Sequence, residues 1–383
     1  MNRPRVPLRK FVKEYSVRNK ANEDIPVYSV TNSQGFCTEY FGKEVASHDK
    51  TTYKIVPRGY FAYNPSRINV GSVDWQRCEE RVIVSPLYTV FSVSDEIDCQ
   101  YLYYFLRSDF GKQMIKARAS GSVRDNLKLE MLKEMTIPDI SKEEQRFCAQ
   151  ILDRLQKLIQ LRKQELQKLD DLIKARFIEM FGDPFVNEMN WPKLKIAQAV
   201  TVEPQNGMYK PQTDYVTDGT GVPILRIDGF YDGEVTDWTT LKRLNCPDKD
   251  IEKYLLLEDD VVINRVNSIE YLGKCAHISN MSEPTVYESN MMRMHFDQAR
   301  FNPVYITRLL CTQYMYDQII NHAKKAVNQA SINQKDVLDF DVYQPPKELQ
   351  DEFADFIKQV NKSKLLKERQ VGFIAKISQK PGR

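Results

Sequence analysis

Two polar loops carry the side chains best suited to chemistry in this sequence, and the chemistry they suit is recognition. The first loop, around residues 116–126, offers Lys116, Arg118, Ser120, Ser122, Arg124 and Asn126. The second, around 324–333, offers Lys324, Lys325, Asn328, Gln329, Ser331 and Asn333. An arginine fork matches the edge of guanine, an amide matches adenine, and lysine or serine suits phosphate. A second pair of stretches repeats the pattern, with Tyr63, Asn64, Arg67 and Asn69 set against Asn264, Arg265, Asn267 and Ser268. Tyr209, Lys210 and Arg226 add an aromatic ring and two cations of the same kind. Each stretch alone reads more readily as solvated surface; their recurrence at matching places favours function.

Catalytic chemistry finds no comparable support. There is no Walker lysine loop, no GxGxxG and no HExxH. Asn64-Pro65-Ser66 shares its first two residues with the Asn-Pro-Pro-aromatic motif of amino-methyltransferases but lacks the second proline and the aromatic residue, which leaves a turn. Adjacent carboxylates such as Asp259-Asp260, Glu79-Glu80 and Asp170-Asp171 diverge on a strand or helix and read as solvated surface. The four histidines are far apart, so no metal site is expected.

The elements that must position these loops fall into two similar halves. In residues 1–140, strand-like runs (25–30, 59–63 and 81–84) precede a helical stretch, 99–118, then the first polar loop and a short turn and strand ending near 140. In residues 182–345, strand-like runs at 222–227 and 260–265 precede a helical stretch, 303–323, then the second loop and a short turn and strand. Pro26 matches Pro223 at an offset of 197, and Asn64 matches Asn264 at 200. Leu127, Gln145 and Ala149 match Ile332, Gln350 and Ala354 at 205. A slowly rising offset is what loop insertions produce in an internal repeat. One counterpart is missing: the second half opens with WPKLKIAQAV, and nothing in MNRPRVPLRKFVKEYS obviously answers it.

Each half ends in a long helix. From Cys148, steps of four and three give Leu152, Leu155, Ile159, Arg162, Leu166, Leu169, Ile173, Arg176 and Met180, a heptad stripe interrupted by two arginines. Ile151, Leu158 and Leu172 widen that stripe on one side. Ser141 with Glu144 is a capping box at the start, and Gly182 followed by Pro184 is the stop. From Phe353 the same stepping gives Ile357, Val360, Lys364, Lys367, Val371 and Ile374. A helix of about 40 residues is a rod of roughly 60 Å, and an apolar stripe that long needs a partner. The repeat supplies one. The expected fold is α+β, with two pseudo-repeat globular domains (1–140 and 182–345) linked by an intramolecular antiparallel coiled coil of helices 141–181 and 346–383.

Bulk properties bound the function. No run of about 18 apolar residues exists, so no membrane partner is expected. The basic N-terminus lacks the apolar core of a signal peptide. Seven cysteines without CxxC spacing suit a reducing compartment, and the cytoplasm is the expected location. The net charge is only +3, and residues 182–345 hold 16 Lys and Arg against 23 Asp and Glu, a local −7. That acidity is awkward for a segment expected to meet nucleic acid.

ASGSVRDNLKLEMLKEMTIPDISKEEQRFCAQILDRLQKLIQLRKQELQKL resembles the specificity subunits of type I restriction–modification systems. Its order is theirs: a Ser/Gly loop, a leucine-bearing turn, an Ile-Pro strand end and an EEQ that opens a long helix. FIEMFGDPF with Trp191-Pro192 resembles the family's junction after the central helix, and INRVNSIEYLGKCA resembles a strand of its second target-recognition domain. The resemblance implies a non-enzymatic DNA-binding subunit that reads a bipartite, gapped site on double-stranded DNA, one half-site per domain. It implies a coiled coil that sets the spacing and docks two modification subunits. Arg162 and Arg176, the arginines of the seam, are the candidate docking residues, although snorkelling or a cross-helix ion pair is the commoner use of arginines so placed. It further implies no cofactor in this chain, S-adenosylmethionine in the modification subunits, and a nuclease in restriction subunits. The alternative is a coiled-coil protein–protein adaptor without nucleic acid.

Overall fold

The computed structural model describes residues 3–38, 49–119 and 126–378. The chain divides into two units, Met1–Leu166 with Leu366–Arg383, and Gln167–Leu365.

Both units are built on one frame. In the first, strands Val12–Glu14, Thr89–Val93, Phe61–Tyr63 and Val73–Trp75 lie side by side in that order, all antiparallel. In the second, Val200–Asn206, Met291–Phe296, Val261–Asn264 and Cys275–His277 repeat the order, and Gly233–Val235 and Phe230–Tyr231 extend the edge. The matched prolines sit at equivalent parallel pairings, Val27 with Ile83 and Ile224 with Val286. Alternation of β-branched and aromatic residues makes these strands, and their inward faces bury Phe61, Tyr63 and Phe91 in one unit and Ile263, Met292 and Phe296 in the other.

The opening segment of the first half does have a counterpart. Arg5–Pro7 pairs antiparallel with Thr136–Pro138, placing Val6 opposite Ile137. Lys193–Lys195 pairs in the same way with Asp341–Tyr343, placing Leu194 opposite Val342. Flanking bonds repeat too: the Leu8 amide donates to Met135 and that of Ile196 to Phe340, at 2.8 and 2.9 Å. What recurs is backbone pairing with one inward apolar residue, at an offset of 188, the low start of the rise that the later matches continue.

Each expected helical stretch is broken in two. Cys99–Arg107 stops at Ser108, whose hydroxyl donates to the Phe105 carbonyl and accepts from the Gly111 amide before Asp109–Ala119 begins. Pro303–Leu310 stops before Thr312, which caps Gln313–His322. A Cβ at Gly111 would lie 2.1 Å from the Phe105 carbonyl oxygen, so the tight turn between the helices needs glycine.

The central helix spans Lys142–Phe181 and the terminal helix Lys347–Ser378. Ser141 and Glu144 exchange both bonds of the capping box, and Gly182 ends the helix at φ +77°. Within the second unit Ile173, Phe177 and Met180 pack with Phe353, Ile357 and Val360. Arg176 bonds Glu352 at 3.0 Å and Asp170 bonds Lys364 at 2.7 Å. Numbers fall on one helix as they rise on the other, so the pair is antiparallel. Within the first unit Glu165 bonds Lys367 at 2.7 Å in the same sense. The two lysines that weaken the terminal stripe thus have carboxylates waiting for them. Ile151, Leu158 and Leu172 do not widen the seam: they are 40%, 44% and 46% exposed, on the outer face.

Gln145 and Gln350 tie these helices to their units identically. Gln145 accepts from the Asp98 amide and donates to the Glu96 and Ile140 carbonyls. Gln350, wholly buried, accepts from the Asn302 amide and donates to Arg300 and Pro345. Among the described residues no helix is long and apolar enough to cross a membrane.

Candidate nucleic-acid interface

In the second unit the two candidate stretches form a single surface. The strand Val261–Asn264 runs into Val266–Asn267, which pairs with Ala330–Ser331, which pairs in turn with Lys324–Lys325. The Ile332 amide donates to the Arg265 carbonyl at 2.9 Å and anchors the base. From it rises a two-stranded ribbon closed by the Ala326 amide on the Gln329 carbonyl at 2.8 Å. Lys324, Lys325, Asn328 and Gln329 are exposed, and Val327 at the tip is 98% exposed. Ser331 is half-buried at the root. A neighbouring loop joins this surface: the Ser289 amide donates to Met208, and its carbonyl accepts Arg265 Nη1 at 3.1 Å. Tyr209, next to Met208, is 79% exposed.

The first unit uses the same stitching. The Asn64 amide donates to Ser72 as that of Asn264 does to Lys274, and the Leu127 amide donates to Pro65 as that of Ile332 does to Arg265. Asn64 Oδ1 accepts from the amide and hydroxyl of Ser66, which folds the loop into an Asx turn. Asn64, Arg67 and Asn69 line a cleft of about 750 Å³ with Asn32, Ser85 and Tyr88. Lys116 is exposed on the Asp109–Ala119 helix, and Asn126 is half-buried beside Leu127. Ser120, Ser122 and Arg124 lie outside the described residues.

Several candidates hold the fold instead of facing outward. Tyr63 is fully buried, its hydroxyl donates to the Leu127 carbonyl at 3.0 Å, and burial pushes its phenol well above the ordinary range. It fixes the loop from beneath. Arg118 bonds the Met114 and Glu134 carbonyls. Lys210 pairs with Asp250 at 2.9 Å, a contact that raises its pKa. Arg226 bonds the Tyr215 hydroxyl at 3.1 Å, stacks on that ring, and lies 3.8 Å from the buried carboxylate of Glu288. Arg265 is turned inward onto Ser289. Asn267 accepts from the Ser268 amide, and Asn333 caps the helix Gln334–Leu338 by accepting from Lys335 and Asp336. On the central helix, Arg162 pairs with Glu165, and Arg176 with Glu179 and Glu352 while it lies over the Phe356 ring. Both docking candidates are engaged within the helix pair.

Asp260 overturns another expectation. It is 2% accessible by side chain and accepts from Arg293 at 3.0 Å, His295 at 3.1 Å and the Leu257 amide at 2.8 Å. Asp259 takes the opposite direction, to His277 and Gln298. The adjacent carboxylates diverge, as strand geometry requires, yet Asp260 points into the protein. Its side-chain partners, Arg293 and His295, lie 33 and 35 residues away, beyond any local sequence signal.

Comparisons with known proteins agree on one kind of relative. A family model described as the type I restriction modification DNA specificity domain matches residues 9–171. The putative type I restriction enzyme MjaX specificity subunit of Methanocaldococcus jannaschii is 30% identical over 155 residues, 40% of this chain and 35% of that protein. The EcoKI specificity subunit of Escherichia coli K12 is 22% identical over 274 residues, 68% of this chain and 58% of that protein. The matches thus span about a third of one of these curated relatives and under two thirds of the other. Among solved structures, a chain from a study of complex assembly and conformational transition in a type I R-M system aligns over 99% of this chain and 97% of its own. Its TM-score is 0.62 at 16% identity. The S subunit of a type I system from M. genitalium covers 100% and 97%, with TM-score 0.54 and 14% identity. These structural likenesses establish the fold.

Proposed function

We propose that this chain, as a member of the family of type I restriction–modification specificity subunits to which its relatives belong, reads a two-part sequence on double-stranded DNA, one half-site per unit. The observation that supports this reading is the repeated frame: each unit stitches its post-strand loop, at Pro65 or Arg265, to the end of its polar loop, at Leu127 or Ile332, by equivalent bonds. The surface that results offers Arg67, Asn69 and Lys116 in one unit and Lys324, Lys325, Asn328 and Gln329 in the other. Such groups contact phosphates and base edges. An adaptor without nucleic acid has no comparable support.

The chain acts in this proposal without catalysis of its own. Methyl transfer, with S-adenosylmethionine, belongs to modification subunits docked along the helix pair, and cleavage to restriction subunits. The net −7 of residues 182–345 then means that partners supply much of the phosphate neutralisation. Binding by the isolated chain should be weak and steeply salt-dependent, and tight only with the modification subunit. Methylation mapped across host DNA with and without this chain tests the reading directly. Loss of a gapped methylation motif on deletion is the expected result; an unchanged methylome refutes it.

The helix pair is proposed to set the gap. One heptad inserted into both helices lengthens them by roughly 10 Å, about three base pairs at roughly 34 Å per turn. The methylated half-sites should stay the same and move apart by about that number. An unchanged gap would defeat the ruler.

A further inference from the structure

We propose that the second unit reads its half-site with the ribbon 324–331 entering the major groove tip first, Val327 seated on the C5 methyl of a thymine and the adjacent amides on adenine. This rests on the DNA-reading function proposed above and specifies its base chemistry. Three features of the ribbon carry it.

The first is the tip. Val327 is 98% exposed while Ala330 and Ile332, three and five residues on, are 2% exposed. The apolar side chain is therefore held out by a buried root, not left on a loose loop. Val327 and Asn328 are the two residues enclosed by the bond between Ala326 and Gln329, so an apolar group and an amide share the point of the ribbon. The second is charge. No hydrogen bond or ion pair among the described residues engages the Lys324 or Lys325 ammonium, in contrast to Lys210, Arg226 and Arg265. Successive strand residues point to opposite faces, so the two ammonium groups address opposite walls of a groove, where the phosphates of the two strands lie. The third is size. A two-stranded ribbon fits the major groove, about 12 Å wide, and not the minor groove of about 6 Å. A short β-branched valine is also unlike the long Phe, Leu or Met wedges that unstack base steps from the minor groove. In the major groove the thymine methyl is the apolar feature a side chain can meet, and Asn or Gln pairs with adenine N6 and N7. The tip carries no arginine for guanine. The ribbon's half-site should therefore contain T beside A·T pairs.

The test uses the full chain assembled with its modification subunits, at low salt, with a random duplex pool and repeated selection, for the parent, Val327→Ala, Asn328→Ala with Gln329→Ala, and Lys324→Ala with Lys325→Ala. All these side chains are exposed, so folding is unaffected, and circular dichroism checks it. The expected result is a two-part motif in the parent, with one part relaxed by the amide and valine variants and the other unchanged. Replacing thymine by deoxyuridine in that part should weaken the parent about fourfold, the factor for one buried methyl of roughly 0.8 kcal/mol. It should leave Val327→Ala unaffected. The lysine pair should lower the slope of log K against log salt by about 1.8, from about 0.9 per phosphate contact, without altering the motif. A two-part motif indifferent to all ribbon variants and to deoxyuridine overturns the ribbon and leaves the DNA-reading function standing. Failure to enrich any motif overturns both.

Discussion

Replacing Gln350 with alanine should destabilise the Gln167–Leu365 unit by about 3–6 kcal/mol. The side chain is 0% exposed and makes three hydrogen bonds: from the Asn302 amide at 2.8 Å, to the Arg300 carbonyl at 3.0 Å and to the Pro345 carbonyl at 2.8 Å. Truncation leaves those three backbone groups without their partner. A buried polar group left unsatisfied costs about 1–3 kcal/mol, and the three share one space, so part of the sum is recovered by relaxation. Asn302 also caps the helix Pro303–Leu310 through Val304 at 2.9 Å, so displacement of this loop frays a second element. The measurement is urea unfolding in a Trp75→Phe background. The remaining tryptophans, Trp191 and Trp238, both lie in the second unit, and their fluorescence reports on it alone. The midpoint should fall at constant m-value. Gln350→Glu keeps the acceptor for Asn302 but cannot donate to either carbonyl, so it should recover little. Gln145→Ala should have a similar effect on the first unit. A loss below about 1 kcal/mol for Gln350→Ala would refute the claim that this side chain ties sheet to helix.

Three other outcomes follow from contacts of different kinds. Gly35 has φ +68°, and a Cβ there would lie 2.0 Å from Asp74 Oδ2, whose carboxylate accepts from Phe36, Trp75 and Arg77; Gly35→Ala should cost about 2–4 kcal/mol in thermal unfolding of the first unit, from left-handed strain and displaced hydrogen bonds. In the helix pair Ile173→Ala, at a position 3% exposed, should cost about 2–5 kcal/mol, whereas Asp170→Ala, which breaks a half-exposed ion pair with Lys364, should cost less than about 1 kcal/mol; equal losses would mean the seam is held by charge. Burial alone would raise the Asp341 pKa, but hydrogen bonds from Lys193 and Lys195 outweigh it and hold the carboxyl below its usual 3.8. Its stabilising share is therefore present above that value and lost as pH falls through the depressed one. Asp341→Asn should lower stability at neutral pH and flatten the acid limb of a stability–pH curve; an unchanged acid limb would show that this pair contributes nothing.

The long helices and their caps are legible in the sequence because each rests on short-range regularity, and the two-fold repeat, with the antiparallel pairing it implies, is legible because the same local patterns recur in the same order. A heptad stripe or a Ser-x-x-Glu box needs no knowledge of distant residues, and a recurring Gln needs only comparison of one half with the other, not of which residues touch. Even Lys364 and Lys367, which look like flaws in a stripe, occupy seam positions as the stepping predicts, and the structure adds only their partners, Asp170 and Glu165. The identity of the exposed cations was beyond that reach. Arg226 answers to Glu288, 62 residues on, Arg265 to Ser289, and Asp260 to Arg293 and His295. Composition shows a cation in a loop, but a charge becomes available for a ligand only when no carboxylate or carbonyl reaches it first, and chain closure over tens of residues decides that. The same holds for the opening strand Arg5–Pro7, which acquires its meaning from Thr136–Pro138 at the far end of its unit. Local periodicity set the frame, and tertiary contact chose which of its polar side chains face outward.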